Sequence, residues 1–221
     1  MGLNISKGNM YDFVTHTWNA IKGACPHDCS YCYMKRWGEQ KPVRFDESEL
    51  KTDLGSGNFI FVGSSCDMFA DKLPISWIER TIEHLKKFDN QYFFQTKDPG
   101  RFNVWMSHYP PKSHICTTIE TNRRYEEMGK APTPYQRSAG MRAIHDFFSK
   151  SYVTIEPIMD FDYYEMIKLI RRCSPAQVNI GADSGGNKLT EPSKDQILEL
   201  IDGLSKFTIV KQKKNLKRLL V

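Results

Sequence analysis

No apolar run in the sequence approaches the roughly 18–20 residues that a membrane-spanning helix requires. The first ten residues lack the basic and then apolar pattern of a secretory signal, so export is not expected. Low-complexity tracts are also missing, and aromatic residues make up 12% of the chain. These features exclude disordered, collagenous and coiled-coil proteins and predict a compact cytoplasmic domain.

The size of the chain predicts one folded unit. Its 221 residues are 40% apolar and 26% charged, as in ordinary soluble globular proteins. No clear linker interrupts the sequence. We therefore predict a single domain over residues 1–205, with a basic C-terminal extension of the same domain over residues 206–221.

Strand-like and helix-like runs alternate along the chain. Ile75, Ile78, Ile82 and Leu85 recur at helical spacing, with charged residues between them. The predicted strands are Val14 to Ala20, Phe59 to Gly63, Gln91 to Thr96, His114 to Ile119, Tyr152 to Ile155 and Gln177 to Gly181. The predicted helices are Ile75 to Phe88, Arg101 to His108, Pro134 to Lys150, Tyr163 to Cys173 and Ser193 to Ser205.

This alternation predicts an α/β fold. Repeated strand–helix units form a parallel sheet with helices packed outside it. A closed eight-fold barrel typically takes about 250 residues, which is more than this chain has. The sequence therefore predicts a partial (β/α)6 TIM-type barrel that is open on one side.

The last sixteen residues differ in charge from the rest. Residues 206–221 contain six basic side chains and no acidic one, whereas the whole chain has a formal net charge of +5. Such a segment suits a phosphate backbone, and it equally suits a solvated terminal helix.

Six cysteines are present, and three of them stand within eight residues. Cys25, Cys29 and Cys32 have the spacing Cys-x3-Cys-x2-Cys, after the first predicted strand. A secreted disulfide scaffold would be shorter and more evenly supplied with cysteine, so we expect a metal or iron–sulfur site in a reducing compartment. Three thiolates on a [4Fe–4S] cluster leave one iron open. A zinc site with His27 as fourth ligand is the alternative, although the sequence lacks a second ligand pair.

The cysteine segment resembles the signature of the radical S-adenosylmethionine (SAM) superfamily. The resemblance lies in the spacing, in Tyr31 just before the last cysteine, and in the position after the first strand. It implies that the open iron chelates the amino and carboxylate groups of SAM. It further implies that one electron from the cluster cleaves SAM to methionine and a 5′-deoxyadenosyl radical, which abstracts hydrogen.

The same resemblance implies that SAM-binding groups lie at the carboxyl ends of the later strands, where such folds place their chemistry. The turn Gly63-Ser64-Ser65 would hold the SAM amino group, and Lys97 would pair with its carboxylate. Alternation places Thr118, Glu120 and Asn122 on one face, where they would bind ribose hydroxyls. Glu156 precedes a proline at a strand end, and the backbone after Asn179 would lie along the adenine. Each of these turns can also be an ordinary strand–helix connection.

Two subfamilies of that superfamily are similar to this sequence. One is an uncharacterised radical SAM family found in phages, in which case the protein would act in the host cytoplasm. The other is spore photoproduct lyase, which repairs a thymine dimer in DNA. The similarity to the lyase rests on four short segments: Ser65-Cys66-Asp67, Thr96-Lys97, Thr118-Ile119 and Pro157-Ile158.

The residues beside the cysteines favour a nucleic-acid substrate. Tyr33 and Trp37 alternate with Lys35 and Arg36, and stacking plus phosphate attraction holds an exposed base. We expect modification, rearrangement or repair of a nucleobase, with a thymine-derived base in DNA as the specific hypothesis. The alternatives are a radical SAM enzyme for a peptide or small metabolite, and a non-catalytic metal-containing module that binds nucleic acid.

Two further expectations concern hydrogen and electrons. Cys66 is a candidate hydrogen donor beside the SAM turn, although an isolated cysteine at a strand end is more often a small buried apolar residue. The resemblance also implies an electron donor such as flavodoxin or ferredoxin. We expect one cluster, no membrane partner, and DNA rather than RNA.

Overall fold

The computed structural model describes residues 2–7 and 11–221, without the side chains of residues 103–107. An eight-stranded sheet has the order β1-β2-β5-β6-β7-β8-β9-β10, and β3 and β4 form a separate antiparallel pair. The strands are β1 Asn4–Ile5, β2 His16–Trp18, β3 Ile21–Lys22, β4 Arg44–Phe45, β5 Phe59–Val62, β6 Gln91–Thr96, β7 Ser113–Thr118, β8 Lys150–Ile155, β9 Gln177–Ile180 and β10 Ile209–Gln212.

The described residues form four α-helices between these strands: α1 Ile75–Leu85, α2 Pro134–Ile144, α3 Tyr163–Arg172 and α4 Lys194–Ser205. Helices α2 and α4 both begin with a capping box, formed by Thr133 with Gln136 and by Ser193 with Gln196. In each box the hydroxyl and the amide satisfy backbone N–H groups that the first turn leaves unpaired. The predicted helix Arg101 to His108 is instead a 3₁₀ helix over Pro99–His108.

Within the eight-stranded sheet, all neighbouring strands from β2 to β10 pair in parallel, and only β1 pairs antiparallel, with β2. β1 and β10 are the two edges, so the sheet is not closed. The prediction of an open partial barrel is therefore confirmed. The sheet nevertheless has a seventh parallel strand, β10, because Ile209 to Gln212 pairs with Gln177 to Ile180.

Because side chains alternate along each strand, the two faces of the sheet contribute to two different apolar clusters. On the helix side, residues such as Ile60, Phe94 and Val153 belong to the main apolar core. On the barrel side, Tyr11 and Phe93 belong to a second cluster, which also contains Val14, Phe61, Cys116 and Tyr152. The aromatic residues of this second cluster fill the barrel below the ends of the strands, which leaves the ends themselves for polar groups.

The basic segment 206–221 is folded against the barrel. After β10 the chain forms a 3₁₀ helix over Lys214–Leu219, with Leu216 fully buried in the core. Lys206, Lys213 and Arg218 form ion pairs with Asp202, Glu156 and Glu191. Half of the basic side chains of this segment are thus held by carboxylates of the domain. No helix among the described residues is long and apolar enough to cross a membrane.

Candidate functional site

The three clustered cysteines lie on one loop, between β3 and a 3₁₀ helix over Tyr33–Trp37. Two tight turns shape the loop: Asp28 N donates to Cys25 O at 3.1 Å, and Cys32 N donates to Cys29 O at 3.2 Å. The thiols are free; Cys29 is buried, and the other two are partly exposed. The sequence prediction that these residues share one site is consistent with this loop.

The cysteine loop rests on the segment Glu126 to Ala131. Ser30 N donates to Glu127 O at 2.8 Å, and Lys130 N donates to His27 O at 2.6 Å. Gly129 has φ +58°, and a Cβ at this position would stand only 2.2 Å from His27 O. Glycine therefore allows both the left-handed conformation and the close approach of the two chains.

A largely buried carboxylate, Asp67, joins the cysteine loop to the ends of two strands. Its Oδ2 atom lies 2.9 Å from His27 Nε2 and accepts hydrogen bonds from Thr96 Oγ1 at 2.9 Å and from Lys97 N at 2.8 Å. Its Oδ1 atom accepts from Phe69 N at 3.0 Å. Burial by itself raises the pKa of Asp67, but His27 and these backbone donors outweigh it and hold the pKa below its ordinary value.

The thiols of the loop differ in acidity. A hydrogen bond with Cys66 lowers the pKa of Cys25 to about 7, and the same contact raises the pKa of Cys66. Burial raises the pKa of Cys29 and of Cys32. Cys66 is itself buried, so the candidate hydrogen donor lies against the first cysteine of the loop.

Among the described residues, no group of three His, Cys, Asp or Glu side chains converges closely enough to hold a metal ion. In a [4Fe–4S] cluster each thiolate binds a different iron, so the sulfurs stand further apart than the ligands of a single ion. Three cysteines on one loop are the donor set of a [4Fe–4S] cluster with one open iron, whereas a zinc site would need His27 as its fourth ligand. His27 Nε2 lies 2.9 Å from Asp67 Oδ2, and a histidine that binds zinc also bonds a carboxylate through its other ring nitrogen, so this contact does not distinguish the two sites.

Beside the loop, Glu120 is the centre of a buried ionic cluster. It accepts hydrogen bonds from Tyr31 and Lys97 through Oε1 and from Arg137 at 2.6 Å through Oε2. Burial opposes ionisation, yet Arg137 and Lys97 outweigh it and hold the pKa of Glu120 far below its ordinary value. Two cations and one carboxylate give the cluster a net positive charge, which suits an anionic ligand.

Sequence reasoning missed Arg137, which is fully buried on helix α2. Its Nη1 atom also donates to Thr118 O at 3.0 Å, and its Nε atom to Pro132 O at 2.7 Å. Its Nη2 atom is buried with no hydrogen-bond partner among the described residues. A buried arginine on an otherwise polar helix is hard to recognise, because arginine is almost always exposed unless it is paired.

The turn Gly63-Ser64-Ser65 is held in place by Asn19, the residue that follows β2. Asn19 Oδ1 accepts from Ser65 N at 2.8 Å and from Ser64 Oγ at 3.2 Å, while the Tyr33 hydroxyl donates to Ser64 O. The Ser65 hydroxyl is buried and has no partner among the described residues. A preformed turn with a free hydroxyl fits the predicted role of holding an amino group.

Three further residues that were predicted to bind SAM lie in two different parts of the structure. Thr118 and Asn179 face the barrel: Gln95 Nε2 donates to Thr118 Oγ1 at 3.0 Å, and Asn179 Nδ2 is buried without a partner among the described residues. Asn122 instead exchanges hydrogen bonds with Asp162 at the start of α3, at 2.9 and 2.7 Å. Asn122 thus connects β7 to α3, away from the Glu120 cluster.

Glu156 is held by the C-terminal segment. Lys213 Nζ donates to Glu156 Oε2 at 2.5 Å, and Asn215 Nδ2 donates to Glu156 Oε1 at 2.8 Å. Lys213 also stands over the Tyr11 ring, 4.7 Å from its centroid. Lys213 and Asn215 both belong to the segment 206–221, whose basic side chains alone are recognisable from the sequence.

A cleft of about 310 Å³ opens at the third cysteine. It is lined on one side by Tyr31, Cys32, Tyr33, Lys35 and Arg36 and on the other by Ser184, Gly185 and Asn187. Arg36 Nη2 donates to Ser184 O at 3.2 Å across it. The cleft therefore gives a ligand access to the cysteine loop.

No protein-family model and no curated protein matches the sequence. Among solved structures, a mutant of spore photoproduct lyase has a TM-score of 0.67 and 12% identity over 94% of this chain and 79% of its own. A mutant with bound AdoMet and dinucleoside spore photoproduct has a TM-score of 0.58 and 14% identity, over 92% and 66% of the two chains. The lyase complexed with dinucleoside spore photoproduct has a TM-score of 0.60 and 13% identity, over 92% and 64%. This chain therefore has the partial-barrel fold of spore photoproduct lyase.

Proposed function

We propose that the protein is a radical SAM enzyme that modifies, rearranges or repairs a nucleobase in DNA. The observation that carries the proposal is the loop with Cys25, Cys29 and Cys32 at the mouth of an open barrel whose fold is that of spore photoproduct lyase. Three reduced thiols with no fourth cysteine on the loop leave one iron of a cluster free for a ligand.

In this proposal the cysteines hold a [4Fe–4S] cluster, and neighbouring residues bind SAM. When bound, the two together supply a 5′-deoxyadenosyl radical through one-electron cleavage of the SAM sulfonium. Lys97 and Arg137 supply the positive charge for the SAM carboxylate, and the turn at Ser64 and Ser65 supplies acceptors for its amino group. Glu156, Thr118 and Asn179 remain the proposed contacts deeper in the barrel.

The chain's residues perform two tasks here. Asp67 fixes the cysteine loop to the ends of β5 and β6 through four hydrogen bonds, which keeps the thiols in position as the cluster forms. The aromatic residues around Tyr11 and Phe93 close the lower end of the barrel and exclude water from below the site. Cys66 stays a candidate hydrogen donor, from its buried place beside Cys25.

A DNA substrate, with a thymine-derived base as its reacting part, is proposed from two features. An open sheet edge admits a large substrate sideways, and the solved lyase complexes hold a dinucleoside spore photoproduct. An acidic one-electron donor of the flavodoxin or ferredoxin class completes the proposed reaction.

The first experiment measures 5′-deoxyadenosine. The protein is reconstituted anaerobically with iron and sulfide and then given SAM and dithionite, with and without ultraviolet-irradiated oligonucleotide. Cys29→Ala is the test variant, and Cys173→Ala is the matched control, because Cys173 is equally buried but lies at the end of α3.

We expect about four iron atoms per chain and release of 5′-deoxyadenosine in the wild type and the Cys173→Ala variant, but not in Cys29→Ala. Stoichiometric zinc with no uptake of iron would instead identify a metal-containing binding module. Product that forms only with a peptide fraction, and not with DNA, would retain the radical chemistry and reject the nucleobase.

A further inference from the structure

The 3₁₀ helix that follows the cysteine loop carries an exposed aromatic residue that the site does not use. We infer that Trp37, with Arg36 and Lys35 beside it, is a stacking platform for one unpaired nucleobase at the mouth of the barrel. This inference rests on the proposed function in taking DNA as the substrate, and it names the surface that receives the strand.

Trp37 is 65% exposed, although Trp18, which precedes the same loop, is fully buried. Its ring meets Tyr33 edge-on, with ring centroids 5.8 Å apart and planes at 82°. Tyr33 is in turn fixed by its hydroxyl bond to Ser64 O. Tyr33 thus supports the Trp37 ring on one side, and the exposed remainder of the ring is left for a ligand. Exposed aromatic faces of this kind stack on bases of any sequence.

The platform adjoins the cleft at the third cysteine. Tyr33 and Arg36 line that cleft, so Trp37 is one ring away from its rim. A volume of about 310 Å³ is at the small end for ligand pockets and accommodates one nucleotide rather than a paired base. A base that enters must therefore be single-stranded or extruded from a duplex, and stacking offsets the cost of unstacking it.

Charge favours a nucleic acid as the occupant. From residue 35 to residue 44 the chain has four cations, Lys35, Arg36, Lys41 and Arg44, and one carboxylate, Glu39. The ion pair of Lys35 with Asp28 is exposed on both sides, at 48% and 61%, so a phosphate can replace it at little cost. Cations beside an exposed indole match a phosphate next to a base.

The test uses the reconstituted protein and a fluorescent single-stranded oligonucleotide, and it requires neither SAM nor turnover. Trp37→Ala removes the stacking face, Trp37→Phe retains an aromatic ring, and Tyr164→Ala is the matched control, since Tyr164 is 83% exposed on α3. We expect Trp37→Ala to bind roughly 5- to 150-fold more weakly, and Trp37→Phe and Tyr164→Ala to stay within about threefold of the wild type.

Salt and fluorescence distinguish stacking from charge. The ratio of wild-type to Trp37→Ala affinity should be the same at 50 and 200 mM salt, whereas the ratio for Arg36→Met should shrink, because only the cation releases counterions. Tryptophan fluorescence should be quenched by the oligonucleotide in the wild type and less so in Trp37→Phe.

Equal affinity of wild type and Trp37→Ala overturns the inference, as does an equal loss in Trp37→Ala and Tyr164→Ala. Trp37-dependent binding of an acidic redox protein, without binding of the oligonucleotide, also overturns it and assigns the surface to an electron donor. Failure of the radical SAM proposal appears separately, as a lack of 5′-deoxyadenosine in a protein that still stacks bases on Trp37.

Discussion

At the scale of single residues, buried charged groups hold the side chains of the site in position. Glu120 and Arg137 are both fully buried, and each has its charge compensated by the other and by neighbours. Removing one partner of such a pair leaves the other buried and unpaired, which is far more costly than losing the pair as a whole. Substitution of such a residue should therefore lower the free energy of unfolding more than substitution of an exposed charged residue.

Lys213, the residue after β10, allows this principle to be tested with a control on that strand. Lys213→Met leaves the Glu156 carboxylate, whose side chain is 19% exposed, without its cation. We expect a loss of about 1–3 kcal/mol in the free energy of unfolding, measured by urea titration of the apoprotein. Lys213→Arg should retain most of the stability.

Lys211, two residues earlier on β10, is exposed. Lys211→Met should change the free energy of unfolding by less than about 0.5 kcal/mol. If Lys211→Met and Lys213→Met are equally stable, the ion pair with Glu156 contributes nothing.

His114, at the lower end of the barrel, predicts a pH effect. Burial lowers its pKa to about 4, and its Nδ1 atom has no hydrogen-bond partner among the described residues. Between about pH 6.5 and pH 4, His114 is therefore protonated in the unfolded chain but neutral in the folded protein. The free energy of unfolding falls as the pH is lowered through this range. The loss at pH 5 amounts to about 2 kcal/mol.

The measurement compares urea unfolding at pH 7 and pH 5 in the wild type and in His114→Phe, which retains an aromatic ring against Phe59 and Tyr152. The variant should lose about 2 kcal/mol less than the wild type between the two pH values. An identical pH dependence in both proteins would show that His114 is protonated in the folded state.

At the scale of elements, the cysteine loop has no regular structure of its own and takes its shape from what it lies on. Its contacts with the segment Glu126 to Ala131 and with Asp67 involve backbone groups, the His27 ring and the Cys29 thiol, which donates to Met128 O at 3.3 Å. Because the positions of the thiols depend on this support, a change in the supporting segment should lower the amount of iron bound after reconstitution more than it disturbs the fold.

Gly129→Ala tests the support of the loop. Alanine at φ +58° is strained, and its Cβ would collide with the backbone at His27 and Asp28. We expect the variant to retain less than half of the iron of the wild type after reconstitution, with a lower melting temperature. Gly186→Ala is the control, because Gly186 has φ +65° but no described atom within 4 Å of the added Cβ.

Iron content per chain and circular dichroism together decide the outcome. Iron loss in Gly129→Ala alone, with the helical signal retained, supports the contact between the loop and the segment below it. Equal iron in the two glycine variants would mean that the collision is relieved without moving the thiols.

At the scale of the whole molecule, the positive charge is unevenly distributed along the chain. The formal net charge is +5, and the segment 206–221 contributes six cations. Lys206, Lys213 and Arg218 are in ion pairs with the domain, and Lys211, Lys214 and Lys217 are exposed. Binding of DNA through this segment would therefore depend on the exposed set.

A triple variant that changes Lys211, Lys214 and Lys217 to methionine should bind DNA more weakly and with less dependence on salt. The slope of log affinity against log salt should become shallower by about 0.9 for each lysine that contacts a phosphate. Fluorescence anisotropy with duplex DNA between 50 and 300 mM salt gives the slope. A variant with Lys51, Lys72 and Lys168 changed is the control of equal charge.

An unchanged slope in the tail variant, or an equal change in the control, would assign these lysines to ordinary solvation. That outcome would leave the stacking surface at Trp37 as the proposed contact with the strand.

The fold was largely predictable because the strands of a parallel sheet are apolar runs separated by amphipathic helices. β5, β6 and β7 are close to their predicted bounds, since both faces of these strands are covered. The two-residue strands β1, β3 and β4 were missed, because two residues show no alternation. β10 was missed because three of its four residues are exposed, so it does not show the apolar pattern of a buried strand.

The candidate site was partly predictable. Cys25, Cys29 and Cys32 are close together in sequence, so their spacing is itself the signal. Arg137 lies on α2 and Lys213 follows β10, both far away in sequence, and they reach the site only when the sheet brings the ends of its strands together. Asn122 was predicted to share a face with Thr118 and Glu120, but β7 ends at Thr118 and Asn122 pairs with Asp162, because a strand's alternation does not extend beyond its end.

The sequence alone determined the class of fold and suggested the chemistry proposed for the cysteine loop, since both follow from short-range patterns of apolar residues and thiols. Only the tertiary structure decided which carboxylates are paired, that Asp67 and Gly129 hold the loop, and that part of the basic C-terminal segment belongs to the barrel. The physical reason is that ion pairing and burial depend on distance in space, and in a parallel barrel residues more than fifty positions apart meet where the strands end at the same edge of the sheet.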